Sequence, residues 1–246
     1  MQTYMKIWTS LIASAWLLAA PAQGAVKVFA CEPEWANLVE LTAGDLVSIY
    51  QASTAMQDPH RIEARPSLIA QMRRAQLVIC TGADLEVAWL PLLMQSAGNR
   101  EVHAGSPRLI AAAELVSRLE IPTTVDRAAG DIHPAGNPHV HLDPHRLARI
   151  AQVIAERLAS IDPANADEYR ARHSAFAQSW GNAITGWETK AQPLRGMRIV
   201  PYHKDTVYLT DWLGLVEVMN VEPKPGLPPS PAHLASLVDL LAAAPT

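Results

Sequence analysis

The sequence lacks the features that mark several common classes of protein. Its net charge is only −4, its isoelectric point is near 6.1 and it has no stretch rich in lysine and arginine, so nucleic acid is not an expected partner. It has no H-E-x-x-H motif and no evident general base, which argues against a metallohydrolase and for a protein that is not an enzyme. Its two cysteines, Cys31 and Cys80, have no cysteine or histidine at ligand spacing, so a cysteine-based metal site is a weak hypothesis.

An apolar stretch at residues 7–20 follows Lys6 and precedes Pro21 and a run of mostly small residues. This order predicts a secretory signal peptide over residues 1–24, followed by a mature protein that is exported to the periplasm. The apolar stretch is shorter than a usual bilayer-spanning helix, and an uncleaved membrane anchor is the alternative.

From residue 26 the chain alternates short apolar runs with segments of helical periodicity. VKVFA, LVSIY and QLVIC predict strands, and the segments between them predict helices. The helix after QLVIC is expected to include Leu85, and the pair Asp143-Pro144 predicts the start of a later helix. Such alternation is typical of a parallel sheet covered by helices, in which ligands bind beyond the carboxyl ends of the strands. We therefore expect an α/β fold whose chemistry lies in the loops that follow strands.

The cysteines end two of these predicted strands, at residues 26–30 and 76–79. If the two strands are neighbours in a parallel sheet, Cys31 and Cys80 lie at the same edge and can form a disulfide, which an exported protein permits. The sequence alone leaves a disulfide and two free thiols equally open.

One long helical segment divides the mature chain. Residues 164–194 keep aromatic and aliphatic residues near one helical face, and at 1.5 Å per residue the helix is about 46 Å long, which favours a bridge between lobes. We predict an N-terminal α/β lobe over residues 25–163 and a partial C-terminal α/β lobe over residues 195–246. Its predicted strands are MRIVPY and LVEVMNV. With only two of them, this second lobe is expected to be incomplete.

Three of the nine histidines follow predicted strands or the central loop: His60, His139 and His203. Imidazole nitrogens suit Zn²⁺, which takes four ligands, or three and water. Two of the three follow proline, which stiffens the backbone before the ring.

Five strings of the sequence resemble, in this order, the zinc/manganese class of periplasmic solute-binding proteins of ABC importers: DPHRIEARPS, ADLEVAWL, GNPHVHLDP, PYHKDTVYLTDWLGL and EPKPGLPPSPAHL. The resemblance implies two α/β lobes with parallel sheets bridged by one long helix, and metal in the cleft between the lobes. It places the metal ligands at His60, His139 and His203. A histidine at the third position resembles zinc-type members, so Zn²⁺ is expected rather than Mn²⁺. The resemblance further implies a monomer that delivers its metal to a membrane permease.

The resemblance also implies a fourth, acidic ligand late in the second lobe, beyond the point where this sequence stops. We therefore expect a C-terminally truncated receptor whose site is completed by water, Asp205 or Glu222. His141 is a secondary candidate ligand, with packing favoured. Glu63 and Asp58 flank His60, and two interpretations of them stay equally open: orientation of the His60 ring and simple solvation. The loop before the second motif offers only His133 and Asp131, so metal capture by this loop is not expected. The alternatives are a truncated remnant that binds no metal and a secreted zinc hydrolase.

Overall fold

The computed structural model of the chain describes residues 24–124, 130 and 133–243. The expected signal peptide therefore lies almost wholly outside the described residues. Within them, no helix is long and apolar enough to span a bilayer. The strands and helices in chain order are β1 Val26–Ala30, α1 Pro33–Ala43, β2 Val47–Gln51, α2 Pro66–Arg74, β3 Leu77–Cys80, α3 Leu90–Ala97, β4 Leu109–Ala111, α4 Pro144–Ile161, α5 Ala166–Ala191, β5 Arg198–Ile199, α6 Val207–Leu213, β6 Val216–Glu217 and α7 Pro231–Ala243.

The first lobe is built on a parallel sheet with strand order β2-β1-β3-β4. Its strands are apolar on both faces because helices cover both faces. In β1, Val28 and Ala30 pack toward α1 and α4, whereas Phe29 packs toward α2 and α3. The predicted parallel α/β fold is confirmed.

Helix starts in this chain follow from proline and capping chemistry. Proline occupies the first turn of α1, α2, α3, α4 and α7, where its missing N–H costs no intrahelical hydrogen bond. At α4 the carboxylate of Asp143 also accepts hydrogen bonds from the backbone N–H groups of His145 and Arg146. The Asp-Pro pair that predicted this helix therefore begins it.

The third helix begins later than its periodicity predicted. The helix was expected to include Leu85, but α3 begins at Leu90. The backbone of Gly82, Ala83 and Asp84 is left-handed, with φ of 76°, 49° and 65°, and this turn delays the helix. The strand predicted at residues 76–79 likewise shifts by one, to Leu77–Cys80.

The predicted long helix is confirmed as α5, with short 3₁₀ turns on either side. Its N-terminal half packs on α1 and α4 through Tyr169 and Phe176, which are buried in the core of the first lobe. Near its C-terminal end, Trp187 remains 39% exposed and meets the Trp212 ring of α6 edge to face, with centroids 6.3 Å apart. The helix thus connects the first lobe to the β5-α6-β6 unit.

The second lobe has less regular structure than the sequence predicted. The apolar runs MRIVPY and LVEVMNV form only the two-residue parallel strands β5 and β6. Periodicity overestimates these strands because their length depends on the neighbouring strand to which they hydrogen bond.

A disulfide joins the carboxyl ends of β1 and β3. Cys31 and Cys80 are bonded, their Cα atoms lie 4.8 Å apart, and both side chains are buried. The sequence left this pairing open, and the parallel register of β1 and β3 decides it.

Beside the disulfide, two glutamates that the sequence did not single out are buried together. Glu32 accepts hydrogen bonds from the N–H and hydroxyl of Thr81, and Glu86 accepts from the N–H groups of Thr81 and Gly82. The pKa of Glu32 is well above its usual range because burial, and then the neighbouring Glu86, disfavour its charge.

Candidate metal-binding cleft

His60 lies in the loop that follows β2, and its ring is oriented by the preceding aspartate. The Oδ1 atom of Asp58 is 2.8 Å from the ring Nδ1 and also accepts the backbone N–H of His60. Trp89 donates its indole N–H to the carbonyl of Pro59, which anchors the loop to the first lobe. A carboxylate at Nδ1 places the ring proton there, so Nε2 carries the lone pair that can bind a metal.

His139 ends the central loop and precedes a 3₁₀ turn formed by Val140–Leu142. Its backbone N–H donates to the side-chain oxygen of Asn137. Burial, followed by the nearby His141 and His203, lowers the pKa of His139 to about 3. The ring is therefore neutral at physiological pH, which is the form that coordinates metal.

His203 belongs to the second lobe and follows β5. Its ring Nδ1 lies 2.6 Å from Oε2 of Glu222, which follows β6. The same carboxylate oxygen accepts the backbone N–H of Gly226. As at His60, a carboxylate at Nδ1 leaves Nε2 of His203 available for a metal ion.

The three predicted histidines line one cavity of about 410 Å³, which both lobes enclose. The rings of His139 and His203 are 6.4 Å apart between centroids. Within the described ranges, no three histidine, cysteine or acidic side chains already converge closely enough to hold a metal ion. Metal binding would therefore require the rings to draw together.

The histidine that sequence reasoning set aside, His133, also lines this cavity. Its Nε2 atom lies 3.3 Å from Nε2 of His60, and the two ring centroids are 5.2 Å apart. The sequence showed this residue only as one histidine in an irregular loop, because its position beside His60 depends on tertiary contacts. Its neighbour Asp131 lies outside the described residues.

The secondary candidates occupy different positions. Glu63 is exposed, and the carboxylate that contacts the His60 ring belongs to Asp58. Asp58 is therefore the residue that orients this ring. His141 lies in the 3₁₀ turn instead of an extended segment. Its ring packs edge to face on Trp35, a contact that supports the packing interpretation. Glu222 was expected as a substitute ligand, but its carboxylate is hydrogen-bonded to the ring Nδ1 of His203.

The charge of Asp205 acts on the pKa of His141. Burial lowers the pKa of His141, and the charges of Glu34 and Asp205 partly offset that effect. Asp205 is not among the residues that line the cavity.

Polar contacts join the two lobes at the rim of the cavity. The ammonium group of Lys204 is 2.6 Å from Oε1 of Glu120, and the side-chain amide of Asn137 donates to the carbonyl of Lys204. Deeper in, the Tyr208 hydroxyl donates to the carbonyl of Asn137 and accepts the N–H of Leu119. These contacts hold the segment that carries His139 against the second lobe.

The model of the family described as zinc-uptake complex component A, periplasmic (ZnuA), matches residues 28–245. The chain belongs to the ZnuA family. This family is named for a component of a transport complex, not for an enzyme.

Relatives of this ZnuA-family chain are named as zinc-uptake proteins and as substrate-binding lipoproteins of metal ABC transporters. The high-affinity zinc uptake system protein ZnuA of Paracoccus denitrificans is 26% identical over 270 residues, which cover 95% of this chain and 79% of that protein. The metal ABC transporter substrate-binding lipoprotein ScbA of Streptococcus cristatus is 27% identical over 146 residues, covering 58% of this chain and 44% of that protein. The chain thus matches less than half the length of some relatives.

Solved structures share the fold of this ZnuA-family chain. A crystal structure of ZnuA superposes with a TM-score of 0.75 at 26% identity, covering 89% of this chain and 78% of that one. FpvC of Pseudomonas aeruginosa, solved with Mn²⁺, gives a TM-score of 0.72 at 24% identity, covering 89% of this chain and 76% of that one. The expected architecture of two α/β lobes and one long helix is that of this family.

Proposed function

We propose that this chain is an extracytoplasmic receptor that captures Zn²⁺ in the cleft between its lobes and delivers it to the membrane permease of an ABC importer. The observation that carries the proposal is the set His60, His139 and His203, drawn from both lobes onto one cavity. The ZnuA relatives, whose names describe zinc uptake, support the same role.

The chemistry of the donors favours zinc over manganese. Three imidazole nitrogens suit a borderline ion such as Zn²⁺, whereas Mn²⁺ prefers oxygen ligands. The carboxylates that contact these rings, Asp58 and Glu222, are engaged on the Nδ1 sides of His60 and His203. They strengthen these two histidines as ligands and partly neutralise the charge of the bound ion.

A competition titration tests the proposal. The chain without residues 1–24 is titrated with zinc against a chromophoric chelator, beside a variant with His60, His139 and His203 changed to alanine. The matched control replaces three other histidines, His103, His145 and His173. We expect one tight site in the wild type and the control, and none in the first variant.

Either of two outcomes would overturn the proposal: no tight site in the wild type, or equal zinc binding by the wild type and the cleft variant. Circular dichroism of both triple variants shows that any loss reflects the site and not unfolding. The same titration with Mn²⁺ is expected to give binding at least about tenfold weaker, as the donor set requires.

A further inference from the structure

We infer that Asp84, in the turn between β3 and α3, is a positioning residue for the metal-binding cleft. Its carboxylate holds in place residues 133–138, called the cleft strap below, which form part of the cavity wall. The inference rests on the proposed function and adds to it a residue that acts through the backbone of the strap and not as a metal ligand.

The cleft strap is held by both lobes and directly precedes the ligand His139. Three of its residues line the cavity: His133, Asn137 and Pro138. On the side of the second lobe, the side-chain amide of Asn137 donates to the carbonyl of Lys204. On the side of the first lobe, the backbone N–H of Ala135 donates to Oδ2 of Asp84 over 3.3 Å. Asp84 is thus a first-lobe anchor of the strap.

The backbone that carries Asp84 has an unusual conformation. Ala83 and Asp84 are both left-handed, with φ of 49° and 65°, although neither is glycine. In this conformation the Cβ atom of an L-residue is crowded, so two such residues in succession persist only where their surroundings impose them. Strain of this kind concentrates at functional sites, and at Asp84 it accompanies a carboxylate directed at the cleft strap.

Buried groups behind the turn impose this conformation. The carboxylate of Glu86 accepts the backbone N–H groups of Thr81 and Gly82, at 2.7 and 3.0 Å. Ala83 is buried in the core of the first lobe. Both ends of the turn are therefore fixed from the inside, and the half-buried side chain of Asp84 is held in one orientation toward the strap.

Loss of the Asp84 carboxylate should loosen the strap without unfolding the lobe. Zinc would then have to order part of the cavity wall when it binds, and this ordering cost lowers the affinity by about 3- to 10-fold. The contacts of Asn137 remain, which keeps the effect moderate. Stability should respond differently, because replacing Asp84 by glycine also relieves the left-handed strain and thereby offsets the lost hydrogen bond.

Zinc titration against a chromophoric chelator and urea unfolding test the inference on the chain from residue 25. Asp84→Gly keeps the turn but removes the carboxylate, so we expect a urea midpoint close to that of the wild type and zinc affinity about 3- to 10-fold lower. Asp84→Asn retains an acceptor oxygen and tolerates the left-handed backbone, so it should bind zinc like the wild type. The matched control Ala83→Gly relaxes the neighbouring residue, leaves the carboxylate, and should also keep wild-type affinity.

Hydrogen exchange in the metal-free protein tests the contact itself. The amide of Ala135 should exchange faster in Asp84→Gly than in the wild type, and at the wild-type rate in Asp84→Asn and Ala83→Gly. Wild-type affinity in Asp84→Gly would overturn the inference, as would an equal loss in Asp84→Asn or Ala83→Gly. A wild type that binds no zinc defeats the proposed function. Tight zinc binding with equal Ala135 exchange in the wild type and Asp84→Gly defeats this inference alone.

Discussion

The disulfide between Cys31 and Cys80 should supply a large part of the stability of the first lobe. It links residues 49 positions apart, at the carboxyl ends of two paired strands. In the chain-entropy description, closing a loop of this length restricts the unfolded chain and stabilises the fold by about 4 kcal/mol. That is a substantial share of the roughly 5–15 kcal/mol by which a typical domain is stable.

Chemical denaturation of oxidised and reduced wild type, and of the Cys31→Ala/Cys80→Ala double variant, measures this contribution. We expect both the reduced protein and the double variant to lose about 4 kcal/mol, the variant slightly more because two buried sulfur atoms are removed from the core. The reduced wild type retains both sulfur atoms and isolates the effect of the bond. A loss below about 1 kcal/mol in both would refute the reasoning.

Three further perturbations act through single contacts. Glu32→Gln should flatten the pH dependence of stability: with its pKa raised, folded Glu32 holds its proton more tightly than the unfolded chain, so wild-type stability falls as pH rises from the ordinary glutamate pKa toward the raised one. The free energy of unfolding is measured in urea at several pH values. The same dependence on pH in the wild type and Glu32→Gln would contradict this prediction. Tyr208→Phe leaves the Asn137 carbonyl and the Leu119 N–H without their partner and should cost about 1–3 kcal/mol, with faster proteolysis after residue 194. Unchanged stability and proteolysis would contradict this. Asp143→Ala removes the N-cap of α4 and should cost about 1 kcal/mol in thermal unfolding, and an unchanged midpoint would show that the cap contributes nothing.

Local chemistry made much of the fold predictable. The alternation of apolar runs with helical segments predicted a parallel sheet covered by helices, and the pair Asp143-Pro144 predicted the start of α4. Predictions were less accurate where the outcome depends on distant partners. The left-handed turn at Ala83 shortened α3, and the strands of the second lobe contain two residues each.

In the candidate site too, local sequence predicted some features and distant contacts decided others. His60, His139 and His203 could be named in advance because each sits in a motif with a recognisable neighbourhood. The partners of their rings could not be named: orientation of His60 by Asp58 or Glu63 was weighed equally with simple solvation of both. Glu222 was expected as a substitute ligand, not as the group that orients His203. Sequence spacing does not report which of two nearby carboxylates reaches a ring.

The sequence by itself determined the α/β class, the long helix and the choice of three histidines as candidate ligands, because periodicity and short motifs are properties of neighbouring residues. Only the tertiary structure decided that Cys31 bonds to Cys80, and that His133 lies 3.3 Å from His60. The physical reason is that these pairs are separated by 49 and 73 positions. The first contact depends on the register of the sheet, and the second on where tertiary packing places His133 relative to the first lobe.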